Sequence, residues 1–308
     1  MAELPVLDST SEAPSRAAGA LTRGRLLAGG LLALAALLMV NTLLGPVGSA
    51  VIDYPIPDDG ALMSQLLALD VFAIAVVAPL TVCAAVLVLR RHPLGGMVAL
   101  APAVYAAYMA PQYVLGPQYL RYDGNSAAFF PLHLALFVLG WTTAVLAWQS
   151  MDPAAWVPPG SRRERIVGGM LIPLLAVATF ARYLPALLDT AGSHPSAADY
   201  QEGPGYFWTI ALLDLGVGLP AAIAAAAGVR RGAAWARKTA LTLSGWLALV
   251  GPAVGAMAVT AWLRHLPDAS AEQAAAMTVL GLLFTALALN LFATLRPPLP
   301  RPVNETAP

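Results

Sequence analysis

Four ionisable side chains lie inside long apolar stretches of this sequence, and they are the residues best placed to do chemistry. Asp70, His133, Arg182 and Asp214 each lie one or two helical turns from the end of a stretch long enough to cross a bilayer. A charge at membrane depth is costly and usually faces a protein interior or a water-filled cavity. Because four such groups occur at similar depth, about 6–11 Å below one boundary, we expect them to form a shared polar layer.

Polar residues of the third apolar stretch extend this layer. Tyr105, Tyr108 and Gln112 follow one another at spacings of three and four, so they share one face of a helix. Asn41, at the end of the first stretch, lies at a suitable depth to join them. We expect an outward-facing binding pocket formed by Asp70, His133, Arg182, Asp214, Tyr108 and Gln112.

The four ionisable side chains can pair with one another. Arg182 and Asp214 lie on consecutive stretches, and pairing them avoids an expensive isolated arginine in hydrocarbon. Asp70 is then left to pair with His133, or to bind a cation or a proton. Under the functional interpretation these carboxylates are binding or coupling groups. Under the structural interpretation the ion pair only fixes helix packing, and Asp70 reaches interfacial water.

The sequence lacks the motifs of several enzyme and cofactor classes. It contains no GxSxG, HExxH, Walker A or DDxxD pattern. Its single cysteine, Cys83, excludes a disulfide within one chain and a CxxC redox site. The other histidines lie in loops or at helix ends, so we expect no metal site and no cofactor. A net charge of zero leaves no electrostatic footprint for nucleic acid.

Eight apolar stretches must position these residues. The chain is 58% hydrophobic and 11% charged, with a mean hydropathy of +0.69, whereas about a quarter of a soluble domain is charged. A spanning helix needs roughly 20 apolar residues. The predicted spans are residues 26–44, 66–89, 97–115, 127–148, 166–188, 207–229, 240–263 and 274–295. The third is the weakest because Pro102 and Pro111 interrupt it, and a re-entrant third segment would leave seven crossings.

The basic residues fall on alternate loops, and this bias predicts the orientation. The basic loops hold Arg16, Arg23, Arg25, Arg90, Arg91, Arg162, Arg163, Arg165, Arg230, Arg231, Arg237, Lys238, Arg296 and Arg301. The opposite loops hold only Arg121 and Arg264, together with most of the acids. The positive-inside rule then places both termini in the cytoplasm, in a cell membrane crossed eight times. With seven crossings, the basic loops would no longer all lie on the same side of the membrane.

The two halves of the chain resemble each other. An aspartate, a proline and two arginines occur in the same order in the second and sixth spans: Asp70, Pro79, Arg90 and Arg91, then Asp214, Pro220, Arg230 and Arg231. This order predicts two tandem four-helix units in parallel orientation. The alternative is coincidence in a chain rich in alanine and leucine.

The expected fold is an all-α, polytopic transmembrane bundle of eight helices. Five segments are predicted: a disordered cytoplasmic tail (1–24), a first four-helix unit (25–149), a cytoplasmic linker (150–165), a second four-helix unit (166–296) and a cytoplasmic tail (297–308). Aromatic residues near the outer boundary predict an interfacial belt. That belt contains Tyr113, Tyr119, Tyr122, Tyr206, Phe207 and Trp208.

The stretches around the two aspartates also resemble a known group of proteins. Residues 69–73 (LDVFA) followed by Pro79, and residues 213–217 (LDLGV) followed by Pro220, resemble the Asp-Leu…Pro elements of a prokaryotic, actinobacterial-type family of multi-pass membrane proteins of unknown function. The resemblance implies a membrane topology and no activity. The spacing from aspartate to proline differs between the two halves.

Three functions are consistent with these residues. The one that we favour is a small-solute transporter or ligand-binding membrane protein with an outward-facing polar pocket. The second is an intramembrane enzyme acting on a lipid-linked substrate, with His133 and Asp70 as acid and base. The third is a scaffold subunit without chemistry of its own. The expected partners are the lipid bilayer and a small-molecule or ion ligand.

Overall fold

The chain folds as an all-α helical bundle, as predicted. The structure is a computed structural model that describes residues 12–151, 162–192, 194–267 and 269–293. Its helices are α1 (Glu12–Leu44), α2 (Ala61–Phe72), α3 (Ala78–Leu89), α4 (Gly95–Leu115), α5 (Phe130–Ser150), α6 (Arg162–Asp189), α7 (Ala198–Glu202), α8 (Pro204–Leu213), α9 (Leu219–Arg230), α10 (Ala234–Leu263) and α11 (Ala271–Phe292). A 3-10 turn, Ser126–Phe129, leads into α5.

Two long helices contain a π-helical segment near their middle. Ala73–Val77 joins α2 to α3, and Asp214–Gly218 joins α8 to α9, so each pair forms one continuous helix. In both, a proline is the second residue of the α-helix that follows: Pro79 in α3 and Pro220 in α9. Proline has no N–H to donate to the preceding turn, and single π-turns are frequent where a helix interior is irregular or functional.

Seven helices in the described residues are long and apolar enough to cross a membrane. They are Leu21–Leu44, Ala61–Leu89, Gly95–Leu115, Ser126–Ser150, Pro204–Arg230, Ala234–Leu263 and Ala271–Phe292. Each contains most or all of one predicted span. The fifth predicted span, 166–188, falls within α6, most of whose first half lies outside the residues with described side chains.

The surface of the bundle is apolar around its middle. Large side chains on different helices, such as Leu26, Leu212 and Leu282, are more than half exposed. An exposed apolar surface of this extent is not typical of a protein in water, whereas lipid solvates it. The protein is therefore a multi-pass integral membrane protein.

Helices α4 and α10 lie at the centre. α4 packs against α3 and α5, α10 packs against α9 and α11, and the two contact each other. α1 packs against α3 and α5, as α6 packs against α9 and α11. Across the two halves, α4 contacts α8 and α10 contacts α2. The third span, expected to be the weakest, is thus an unbroken central helix with Pro102 and Pro111 inside it.

One end of the bundle carries the loops that are poor in arginine, and we call it the acidic end. Its loops are residues 45–60, 116–125, 190–203 and 264–270. Here the two halves are joined by polar contacts. The carboxylate of Glu202 accepts the backbone N–H groups of Ala61 at 2.7 Å and Leu62 at 2.8 Å, which favours the positive end of α2. Arg264 donates to the carbonyl oxygen of Asp58 at 2.6 Å.

Helix α1 begins earlier than the sequence predicts. Residues 12–24, assigned to the disordered tail, are helical. This segment is rich in alanine, and a helix already nucleated by the span gains one hydrogen bond for each residue added. Residues 1–11, residues 152–161 of the predicted linker and the tail 297–308 lie outside the described residues.

Candidate functional site

The two aspartates lie farther from the acidic ends of their helices than the predicted spans imply, because these helices begin earlier than the spans. Asp70 is nine residues beyond Ala61, and Asp214 is ten residues beyond Pro204. At 1.5 Å per residue these positions are about 14–15 Å along the helix from its acidic end. Asp70 is fully buried, and Asp214 is partly buried.

Asp70 belongs to an aromatic cluster between α2, α4 and α5. The hydroxyl of Tyr113 donates to its Oδ1 at 3.2 Å. The Tyr113 ring stacks on His133, with centroids 5.3 Å apart and planes 12° apart. The hydroxyl of Tyr54 lies 3.3 Å from Nε2 of His133. Asp70 and His133 therefore belong to one cluster. They do not pair directly in the described structure, as one alternative predicted, because Tyr113 contacts both of them.

Tyr54 reaches this cluster because the loop 45–60 folds inward. Ile52, Tyr54 and Ile56 alternate along the loop and are all buried. The loop is held by Asn125, whose Oδ1 accepts the N–H of Asp53 at 2.9 Å. Burial raises the pKa of the Tyr54 phenol, which therefore stays protonated. The loop thus covers the Asp70 cluster from the acidic end.

Asp214 is held by two tyrosines. Tyr108 donates to its Oδ1 at 2.7 Å, and Tyr183 donates to its Oδ2 at 2.8 Å. The guanidinium carbon of Arg182 lies 5.3 Å from the centre of the Tyr183 ring. Both carboxylate oxygens therefore accept a hydrogen bond from a tyrosine, at the start of the second π-helical segment. The direct pairing of Arg182 with Asp214 stays a prediction.

Gln112 connects α4 to α8. Its Oε1 accepts a hydrogen bond from the hydroxyl of Tyr206 at 2.9 Å, and its Nε2 lies 3.4 Å from the carbonyl oxygen of Tyr108. Tyr206 is buried, as are Phe207 and Tyr113. The prediction that these three belong to an interfacial belt is therefore wrong. The reason is physical: a tyrosine that can reach a buried acceptor is as well placed inside a bundle as at the lipid boundary.

A cavity lies at the acidic end, between α2, α4, α8 and the inward-folded loop. The space between its walls is about 420 Å³ when the part open to solvent is counted. Most of the side chains around it are apolar, none is charged, and four can form hydrogen bonds. The lining consists of Tyr54, Ile56, Leu62, Leu66, Leu69, Met109, Gln112, Tyr113, Gly116, Pro117 and Tyr206. Of the six predicted pocket residues, Gln112 is the one that contributes to this lining.

The remaining predicted residues lie behind the cavity or beside it. Asp70 and His133 are behind Tyr113 and Tyr54, which contact them and line the cavity. Tyr108, Asp214 and Arg182 form a second group. Helix α4 connects the two groups, since it supplies both Tyr113 and Tyr108.

Sequence reasoning missed four tyrosines of these groups: Tyr54, Tyr113, Tyr183 and Tyr206. A usable signal was present for Tyr113 and Tyr183, which donate to the two aspartates. A buried carboxylate requires donors, and in a chain with few other polar residues at that depth, phenols are the available ones. Among the described residues no three His, Cys, Asp or Glu side chains are grouped so as to hold a metal ion.

Comparisons with protein-family models, with curated proteins and with solved structures find no match to this chain.

Proposed function

We propose that this membrane protein binds a small, uncharged, amphipathic molecule in the cavity at its acidic end, as the recognition step of small-solute transport. The observation that carries the proposal is the cavity itself. Its lining is apolar with a few hydrogen-bonding groups, as the linings of small-molecule sites usually are. The absence of charged side chains from the lining favours a neutral ligand.

The position of the cavity supports transport over simple binding. Its walls come from both halves of the chain: Leu66 and Gln112 from the first and Tyr206 from the second. A ligand there contacts both halves, so relative movement of the halves changes its access to either side. The π-helical segment Ala73–Val77 begins three residues after Asp70, and the other begins at Asp214. Such segments are local departures from α-helical geometry where a helix can bend.

We also infer that the two halves are tandem repeats in parallel orientation. The matched packing of α1, α3, α4 and α5 with α6, α9, α10 and α11 supports this. So does the common pattern of a π-helical segment of five residues followed by an α-helix of twelve. Membership in the prokaryotic family of multi-pass membrane proteins that the sequence resembles also stays a proposal.

The orientation is part of the proposal. We place both termini in the cytoplasm and the acidic end outside the cell, in the plasma membrane, on the distribution of arginines. Fusion of a reporter that is active only in the cytoplasm is expected to give full signal at the C-terminus. The same reporter inserted in the exposed part of loop 264–270 is expected to give none. The opposite pattern would exclude an outward-facing cavity.

An intramembrane enzyme is less well supported. Acid–base chemistry on a substrate needs the two groups within hydrogen-bond reach of the reacting atoms. Asp70 and His133 are instead separated from the cavity by Tyr113 and Tyr54. No specific observation favours the hypothesis of a scaffold subunit.

Filling the cavity tests the proposal. The purified chain in nanodiscs is screened by thermal shift against uncharged compounds of suitable size: indole, uridine, thymidine and phenyl glucoside. We expect at least one to raise the Tm of the wild type. Leu66→Trp, which fills the cavity, should abolish the shift. Gln112→Leu should weaken binding about tenfold, since it removes one hydrogen-bonding side chain.

The matched control is Leu283→Trp, the same exchange at a lipid-facing position of α11 that is 44% exposed. It should respond like the wild type. A compound that shifts the Tm is then radiolabelled, and its uptake into proteoliposomes distinguishes transport from binding. If every compound that acts on the wild type acts equally on Leu66→Trp, the cavity is not the binding site and the proposal is rejected.

A further inference from the structure

Asp70 is a buried carboxylate with one oxygen that lacks a hydrogen-bond donor. Its Oδ1 accepts from Tyr113 at 3.2 Å. In the described part of the chain, no group donates to Oδ2. An unpaired carboxylate that is fully removed from water costs far more free energy than a side-chain contact returns, so it is normally neutralised or paired.

The carbonyl end of α1 faces that same oxygen. A Cβ placed on Gly45 would lie 2.9 Å from Oδ2 of Asp70, 3.1 Å from the carbonyl oxygen of Asn41 and 3.6 Å from that of Thr42. The hydroxyl of Thr42 also donates to the backbone oxygen of Asp70 at 3.4 Å, which ties the two helices together at this point. Since a helix C-terminus carries a partial negative charge, its approach makes an ionised Asp70 still less favourable without a cation.

No cationic side chain in the described ranges neutralises the Asp70 carboxylate. The nearest histidine, His133, is engaged with Tyr54 and Tyr113. Arg264 donates to Asp58 and Ser64 at the acidic end. Arg182 lies on the ring of Tyr183, in the group around Asp214.

A second oxygen of the same region also lacks a donor. Oδ1 of Asn41 has no hydrogen-bond partner in the described structure, and the residue is 1% exposed. Asn41 belongs to the last turn of α1, beside Gly45, whose N–H donates to its carbonyl oxygen. Two buried acceptors without donors therefore lie beside the carbonyl oxygens that end α1.

We propose that Asp70 and the carbonyl end of α1 form a binding site for a monovalent alkali cation, with sodium as the reference ion. Oδ2 of Asp70 is the charged ligand, and the oxygens of Asn41 and Thr42 are the neutral candidates to complete the shell. Helix C-termini with a carboxylate are a recurrent way to hold such an ion inside a membrane protein.

Charge and ligand type favour this ion class over the alternatives. One carboxylate with one monovalent cation is neutral, whereas a divalent ion would leave a net charge in the bilayer and require more anionic oxygens. A proton on Oδ2 would also remove the charge and turn that oxygen into a donor, so the experiment below varies the cation at fixed pH to separate a bound cation from a bound proton. The site shares Tyr113 with the wall of the cavity, yet the inference does not depend on the cavity having a ligand.

The test is the thermal stability of the purified full-length chain in sodium, potassium or choline chloride at equal ionic strength and fixed pH. Tryptophan fluorescence reports unfolding, since the chain has 7 tryptophans. We expect sodium or potassium to raise the Tm over choline by about 3–8 °C, with saturation, as for a ligand that binds only the folded state. Asp70→Asn should abolish the difference between the salts.

A second variant keeps the test decisive if Asp70→Asn fails to fold. Gly45→Ala places a methyl group 2.9 Å from Oδ2, and should raise the cation concentration for half-maximal stabilisation at least about tenfold, equivalent to a loss of about 1.4 kcal/mol of binding free energy. Gly29→Ala, on the helix that Gly45 follows, is the control, since a Cβ there has no neighbour within 4 Å, and it should respond like the wild type.

Three results would overturn the inference: an identical Tm in all three salts, an equal response of Asp70→Asn, or a Tm that depends on pH and not on the cation, which would assign a proton to Asp70. Gln112→Leu should keep the full cation response. The cation site and the cavity proposal can therefore fail separately.

Discussion

Gly281→Leu is expected to destabilise the bundle severely. A Cβ on Gly281 would lie 2.5 Å from the carbonyl oxygen of Gly251 and 2.8 Å from the backbone nitrogen of Pro252, so the obstacle is backbone that cannot rotate away. Close approach at such small residues is a main source of helix association in lipid. We expect a loss of about 3 kcal/mol or more, measured as a Tm lowered by at least about 6 °C in detergent.

The control for that variant is Gly29→Leu. Gly29 lies on the exposed side of α1, where an added Cβ meets no protein atom within 4 Å. Its Tm should stay close to that of the wild type. If Gly281→Leu unfolded within about 2 °C of Gly29→Leu, a difference worth less than about 1 kcal/mol, the tight contact of α10 with α11 would be contradicted.

The double variant Tyr108→Phe/Tyr183→Phe is also expected to destabilise the protein strongly. Each hydroxyl donates to one oxygen of Asp214 at 2.7–2.8 Å. A hydrogen bond to a charged group contributes about 1.5–3 kcal/mol, so each single variant should lower stability by about 2 kcal/mol. Removing both leaves a carboxylate without its phenol donors, and the loss should reach about 4 kcal/mol.

A rescue separates this electrostatic cause from lost packing. Adding Asp214→Asn to the double variant removes the charge, and should recover at least half of the lost Tm. Tyr119→Phe serves as the control, because the Tyr119 hydroxyl is exposed and donates to the carbonyl oxygen of Val114. Failure of the third substitution to restore stability would show that the two phenols do not act through the carboxylate.

The sequence predicts the helices well because the bilayer imposes one dominant length scale. Around 20 apolar residues in succession are needed to cross it, so runs of that length can be read directly. The structure confirms the all-α class. It also shows why Pro102 and Pro111 did not break the third span: α4 lies in the centre of the bundle, where neighbouring helices surround it.

The candidate site was only partly predictable. Asp70 and Asp214 were found because a carboxylate in an apolar run is rare and costly. Their partners were not found, since Tyr113 lies 43 residues from Asp70 and Tyr183 lies 31 residues from Asp214. Tyr54 was unpredictable for another reason: it comes from a loop that the structure folds into the bundle.

What the sequence determined by itself is the position and length of the seven spans found in the described residues, and the rarity of charge within them, because each is a property of one segment against lipid. What only the tertiary structure decided is which face of each helix is interior. In a soluble protein, the apolar side of a helix marks the face that packs against the core. In a membrane protein, lipid and core are both apolar, so the sequence of a helix does not distinguish its interior face. Tyr113 and Leu66 could have pointed to lipid, and the packing of α2 and α4 placed them around a cavity.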